Sequence, residues 1–218
     1  MFIGHFALGF AAKKLAPKPS LGTYFIGAQF LDLLWPPFLL LGMEEVQIEP
    51  GNTAFTPLNF ISYPFSHSLL MTAIWATLVS AIYYLLRRER RGAIVLWFVV
   101  CSHWILDLIT HRADLPLDLS NLTLMGFGLW NSIAATVIVE GSLFLVGVIL
   151  YATSTRAFNK KGTFALWSLV GFLLLIYLMN LIGPPPPDPT AIAYAGLSIW
   201  LLVAWGYWID RNRRAIAQ

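Results

Sequence analysis

Two histidines and an aspartate stand at successive turns of one apolar run, in the segment His103-Trp-Ile-Leu-Asp107-Leu-Ile-Thr-His111. On a helix, i, i+4, i+8 spacing puts all three side chains on one face, with ~6 Å between steps. Imidazoles and a carboxylate on one stripe are ligands for a divalent metal of hard or borderline character, zinc foremost. Ionisable groups in a segment able to cross a bilayer are costly to bury, and so by default mark function. A helical stripe ~12 Å long cannot close on one ion. One ion would take His103 and Asp107 and draw Asp32 and His67 from neighbouring helices. Asp107, between the histidines, could bridge to a second ion near His111 or His5. Two ions ~3.5–4 Å apart generate hydroxide and stabilise the entering and leaving oxygens of a phosphoester. Ser66, Ser68, Ser102 and Thr110 are then candidates to orient the ligands.

Blander roles exist for each residue. His5 and His67 could be interfacial or capping groups, and Asp32, ahead of Trp35-Pro36-Pro37, could satisfy backbone groups freed at a kink. His103 and Asp107, one turn apart, need each other or a cation, so a metal-free hydrogen bond is the alternative. Glu140 could be a ligand, a proton carrier or a partner for a buried donor. Arg112 and Asp114 read as a solvated pair outside the membrane, with Arg112 available to an anionic head group.

The elements that must position these groups are apolar. Of 218 residues, 58% are hydrophobic and 11% charged, and the mean hydropathy is +0.69. Water-soluble domains carry about a quarter charged residues, so lipid is the expected solvent. Nine Trp suit bilayer interfaces. Cys101 is the single cysteine, which excludes an internal disulfide and a cysteine zinc cage. The pI is near 9.1, but the basic residues fall in short clusters between apolar runs, a topology signal and not a nucleic-acid surface.

Six runs are long enough to span: Leu21–Leu41, His67–Leu86, Ala93–Ile109, Trp130–Tyr151, Phe164–Ile182 and Thr190–Ile209. Trp35-Pro36-Pro37 should kink the first. Lys13, Lys14 and Lys18, then Arg87 to Arg91, then Arg156, Lys160 and Lys161, then Arg211, Arg213 and Arg214 occupy alternate connections. Positive-inside alternation therefore predicts both termini in the cytoplasm. Met1–Ala12 precedes its lysines, unlike a signal peptide, and is too short to cross. It is expected as a half-helix starting inside the bundle. The fold predicted is all-α: a polytopic integral membrane bundle of about six transmembrane helices plus a short N-terminal helix. It forms one domain over residues 1–218, with the metal residues within 1–130 and further spans in 131–218. There is no internal repeat, Gly-rich phosphate loop or Gly-x-Ser-x-Gly elbow.

With His5, Asp32, Ser66-His67-Ser68 and His103-x-x-x-Asp107-x-x-Thr110 in this order, the chain resembles the membrane-bound, metal-dependent hydrolase family called YdjM-like or DUF457. The resemblance covers roughly the first 130 residues. That family is similar in turn to zinc-dependent phospholipase C and P1 nuclease, which build helical metal clusters from an N-terminal group, histidines and aspartates. The resemblance implies a phosphodiesterase-type site with His5 near an N-terminal metal position. Two departures stand out. No histidine follows His111, so the later His-x-x-x-Glu of the soluble enzymes is missing and one or two ions are expected, not three. Tyr63-Pro64-Phe65 also precedes Ser66-His67 where a basic and aromatic pattern is common.

The function expected is a bacterial inner-membrane, metal-dependent hydrolase in which hydroxide on a divalent metal, zinc first, attacks a phosphoester or ester. Its metal residues would be His5, Asp32, His67, His103, Asp107 and His111, with His103, Asp107 and His111 at the catalytic centre. A site in the outer half of the bilayer suggests a lipid or lipid-linked substrate. The alternative is an ion- or proton-coupled transporter using Asp32, His103, Asp107 and Glu140, for which repeat symmetry is missing. A third is a scaffold with a structural metal. Oligomeric state is left open.

Overall fold

The computed structural model describes residues 1–216. In chain order its helices are α1 (Ile3–Leu15), α2 (Leu21–Ala28), α3 (Phe30–Leu40), α4 (Pro64–His67), α5 (Leu69–Arg87), α6 (Arg90–Thr110), α7 (Ile133–Ser154), α8 (Lys160–Ile182), α9 (Pro189–Leu197) and α10 (Ile199–Asp210). Each long apolar run starts behind a side chain that takes up a free N–H of the first turn. Ser68 caps α5, Glu89 α6, Ser132 α7, Asn159 α8 and Asp188 α9. Such caps stabilise a helix start by ~1 kcal/mol. Three two-stranded antiparallel ribbons complete the chain: β1 (Glu45–Ile48) with β2 (Leu58–Ser62), β3 (Leu115–Pro116) with β4 (Leu124–Met125), and β5 (Thr155–Ala157) with β6 (Arg213–Ala215).

The architecture is an all-α bundle. α5, α6, α7, α8 and the stretch Pro189–Asp210 formed by α9 and α10 are each long and apolar enough to cross a membrane. Their outward faces carry Leu78, Leu85, Phe98, Leu145 and Leu201 uncovered, which suits a multi-pass protein in lipid. The run Leu21–Leu41 is not a sixth continuous span. It breaks at Gln29 into α2 and α3, while Pro36 and Pro37 sit inside α3. At the interruption the Ala28 carbonyl receives the His103 ring, and a side chain inserted into the ladder is one of the recognised causes of a helix break.

α1 is the buried strut of the bundle, with Phe6 and Phe10 fully covered by Phe25, Phe144 and Tyr151. α7 lies against its backbone: a Cβ on Gly147 would fall 2.4 Å from the Ala7 carbonyl oxygen, so only glycine permits this approach. α1 starts inside the bundle, with Met1 buried, and in its last turn carries Lys13, which pairs with Asp210. Met1 is therefore ~20 Å, one helix length, from the surface that carries Arg211. Pro19 beside Gly92, Lys13 on Asp210 and β5 on β6 bring the four basic clusters to one end of the molecule.

Candidate metal centre

α6 presents His103 and Asp107 one turn apart on its buried face, with His103 Nε2 3.1 Å from Asp107 Oδ2. His111 does not continue that stripe. α6 ends at Thr110, and His111 is an extended cap residue (φ −64°, ψ 150°). Its N–H bonds the Asp107 carbonyl at 2.7 Å, and its own carbonyl takes the Gly128 N–H. The ring thus folds back, placing Nε2 4.0 Å from Asp107 Oδ1. An unbroken helical face was the wrong expectation; across the capping turn the third group still lies within 4.0 Å of Asp107.

Three other elements converge here. α1 sets His5 Nε2 at 3.0 Å and the Met1 amino group at 2.6 Å from Asp107 Oδ1. The His5 ring lies flat on His103, with centroids 3.6 Å apart. α3 supplies Asp32 and α4 ends on His67. His67 Nε2 is 3.4 Å from Asp32 Oδ1 and 3.9 Å from Asp107 Oδ2, and His103 Nε2 is 3.7 Å from Asp32 Oδ1. Asp107 thus faces His103 and His67 with one oxygen, and His5, Met1 and His111 with the other. In two trios, His5–His103–Asp107 and Asp32–His67–His103, the ligand atoms lie within 4.8 Å of one another, and each could hold a metal ion.

The outward nitrogens fix the character of the nest. His103 Nδ1 lies 2.8 Å from the Ala28 carbonyl, which can only accept. His111 Nδ1 donates to Asp114 Oδ1 at 2.9 Å, where the Tyr63 hydroxyl also donates. Ser66 Oγ donates to Glu44 Oε2 at 2.7 Å when Glu44 is ionised, and so accepts from His67 Nδ1 at 2.6 Å. Burial pushes the Glu44 carboxyl up to about 7, against the Ser66 hydrogen bonds that pull it down. With Nδ1 of His103 and His111 used as donor, and that of His67 too when Glu44 is ionised, each such neutral ring turns an Nε2 lone pair inward. Those lone pairs meet two carboxylates. A buried group of acceptors facing acceptors is unfavourable without protons or a cation among them. His5 Nδ1 has no partner among the described residues. The four rings are at most 5% exposed and Asp107 2%, whereas the Asp32 side chain is 27% exposed.

Of the four hydroxyls expected to orient ligands, only Ser66 does so. Ser68 Oγ caps α5, Ser102 bonds the Val99 carbonyl, and Thr110 bonds the Leu106 and Asp107 carbonyls. Hydroxyls on a helix commonly return to the preceding turn of their own backbone. Arg112 and Asp114 are not a solvated pair. Asp114 is buried against His111 and Tyr63, while the more exposed Arg112 reaches Asp114 and Asn59. Glu140 is a partner for buried donors: its Oε2 accepts from Phe2 N at 2.9 Å and Gly4 N at 3.3 Å, anchoring the free N–H groups at the start of α1.

Sequence reasoning missed Tyr63, Glu44, Asp114, the Met1 amino group and the Ala28 carbonyl. Asp114, three residues after a histidine at a helix end, was the one signal available; Glu44 looked like any loop acid. Compared with known proteins, the chain matches no family model, no curated protein and no solved structure.

Proposed function

We propose that this chain is a metal-dependent hydrolase of the bacterial inner membrane, of the YdjM-like type. One or two divalent ions, zinc first, would be held by Asp32, His67, His103 and Asp107, with His5 and His111 toward the second oxygen of Asp107. The observation that carries this is the convergence of three imidazole Nε2 atoms and two carboxylates in a nest where the Nδ1 atoms of those rings already have partners elsewhere. A bound ion would supply Lewis acidity and a water acidified to near-neutral pKa.

The protein's own groups do the rest. Asp114, Ser66 and the Ala28 carbonyl hold the rings of His111, His67 and His103 in the tautomer that leaves Nε2 free. Asp32, the one member with appreciable exposure, marks the side from which a phosphoester or ester reaches the nest. The basic end of the bundle, with the C-terminus, would face the cytoplasm. The nest, at the other end of α1, would then serve a lipid or lipid-linked substrate from the outer half of the bilayer.

Against the transporter alternative stands Glu140 Oε2, engaged by the backbone of α1, while Oε1 is buried without a partner among the described residues. The deciding experiment is metal analysis by mass spectrometry on detergent-purified protein, wild type against His103→Ala, followed by phosphoester and lipid hydrolysis. Bound metal and turnover in the wild type, both lost in the folded variant, are expected. A wild type free of metal after zinc or manganese is added back, or unimpaired turnover by His103→Ala, would sink the proposal.

A further inference from the structure

At the opposite end of α1 from the nest, a hollow of about 350 Å³ lies between the residues following α1 and the ends of α10 and β6. Five cationic side chains line it, Lys13, Lys18, Arg211, Arg213 and Arg214, against a single carboxylate, Asp210. That carboxylate is already engaged: Oδ2 accepts from Lys13 and Leu21 N, and Oδ1 from the Tyr151 hydroxyl. Arg213 is engaged too, bonded to Thr155 and the Gly162 carbonyl and placed over the Tyr151 ring. Lys18, Arg211 and Arg214 are exposed and have no carboxylate partner among the described residues. A second observation points the same way. Across the β5–β6 ribbon, Arg156 stands opposite Arg214, and like charges in that position push a two-stranded ribbon apart. A hollow rimmed by free cations, beside a ribbon that holds two arginines face to face, is short of an anion.

We infer that this hollow binds the phosphate of an anionic membrane lipid, drawn from the leaflet at the basic end. The hollow sits where α10 leaves the bundle, and exposed Phe158 and Trp208 flank that level, as aromatic side chains do at the headgroup boundary. Lys18, Arg211 and Arg214 approach the phosphate from the rim, and Lys13 and Arg213, fixed by their own partners, form the floor. Guanidinium groups suit this geometry because each can give two parallel N–H bonds to phosphate oxygens. The inference does not depend on the metal nest. Basic hollows between membrane helices attract anionic head groups, at ~1 kcal/mol for each basic residue near the surface.

The test is native mass spectrometry of the detergent-purified full chain, titrated with phosphatidylglycerol or phosphatidylcholine. Wild type should retain phosphatidylglycerol and not phosphatidylcholine, and R211Q/R214Q should bind it about tenfold or more weakly. R87Q/R88Q, which removes equal charge away from the hollow, should bind as wild type does. Equal retention by R211Q/R214Q, or an equal loss in R87Q/R88Q, would overturn the site. Displacement of the lipid by equimolar inorganic phosphate would overturn the lipid as its source. Should R211Q/R214Q not fold, wild type at ~1 M salt decides. There the screening length is about 3 Å, and undiminished phosphatidylglycerol binding would overturn a charge-held head group.

Discussion

Each end of α1 buries a polar cluster, and the two clusters differ in their balance of donors and acceptors. At Lys13 every group is matched: the ammonium donates to Asp210 and the Pro19 carbonyl, and Asp210 accepts in addition from Leu21 N and Tyr151. At His5 the count is lopsided. Two carboxylates face three imidazole Nε2 atoms whose Nδ1 partners lie on the far side of the ring, with the Met1 amino group the one fixed donor. A balanced pair such as Lys13–Asp210 holds the fold by itself, and the call for an anion at that end comes from the exposed cations around it. An unbalanced one stores a demand for positive charge, and that demand separates a ligand site from a structural knot even when burial is the same.

The largest effect should come from the acceptor both halves of the nest share. Asp107→Ala should abolish bound metal and hydrolysis while the protein still inserts and stays monodisperse; retained metal would mean the imbalance does not draw the cation. Next is the knot. Asp210→Ala leaves Lys13 buried and unpaired, which should cost about 3–5 kcal/mol in detergent unfolding, with metal per folded molecule unchanged. A loss of metal there would erase the distinction between the two ends. Smaller again, Asp114→Asn and Glu44→Gln should each weaken metal affinity by about 10–100-fold in chelator competition, because they release rings without removing a ligand. Smallest, Glu140→Gln keeps an acceptor for Phe2 and Gly4 and should cost about 1 kcal/mol or less. It should appear as faster hydrogen exchange at the start of α1. Proton or metal flux into proteoliposomes that this substitution stops, without ester hydrolysis, would instead favour the transport path.

The all-α membrane architecture was legible because burial in lipid leaves a coarse mark: long apolar runs, capped starts and basic clusters on alternate connections. The convergence of His5, Asp32, His67, His103, Asp107 and His111 was anticipated as a possibility from their cost inside apolar segments. Their tautomers were not, since these depend on Ala28, Asp114 and the Glu44–Ser66 pair, which meet the rings only after folding. Leu21–Leu41 misled for a related reason. Its hydropathy is that of a span, while at its break the Ala28 carbonyl meets His103, a residue 75 positions away along the chain. Proline was the visible breaker and the wrong one. His111 was read one residue too far into α6, where a helical period and a capping turn look alike in sequence.

The partners that lock α1 also bear on biosynthesis. Its start is held by Glu140, 138 positions from Phe2, and its end by Asp210, 197 positions from Lys13. The ribosome makes α1 first, yet Glu140 and Asp210, which tie down its two ends, emerge only with α7 and α10. Domains fold as their segments become available during synthesis, so the first helix of the bundle is the last to be fastened. A chain cut short before α10 would keep the partners of His5 (Asp107 and His103, both on α6) and leave Lys13 without its carboxylate. The ligands of the nest, from His5 to His111, are thus all made before α7, and translation of the final span supplies the last tie of the strut and no part of the nest.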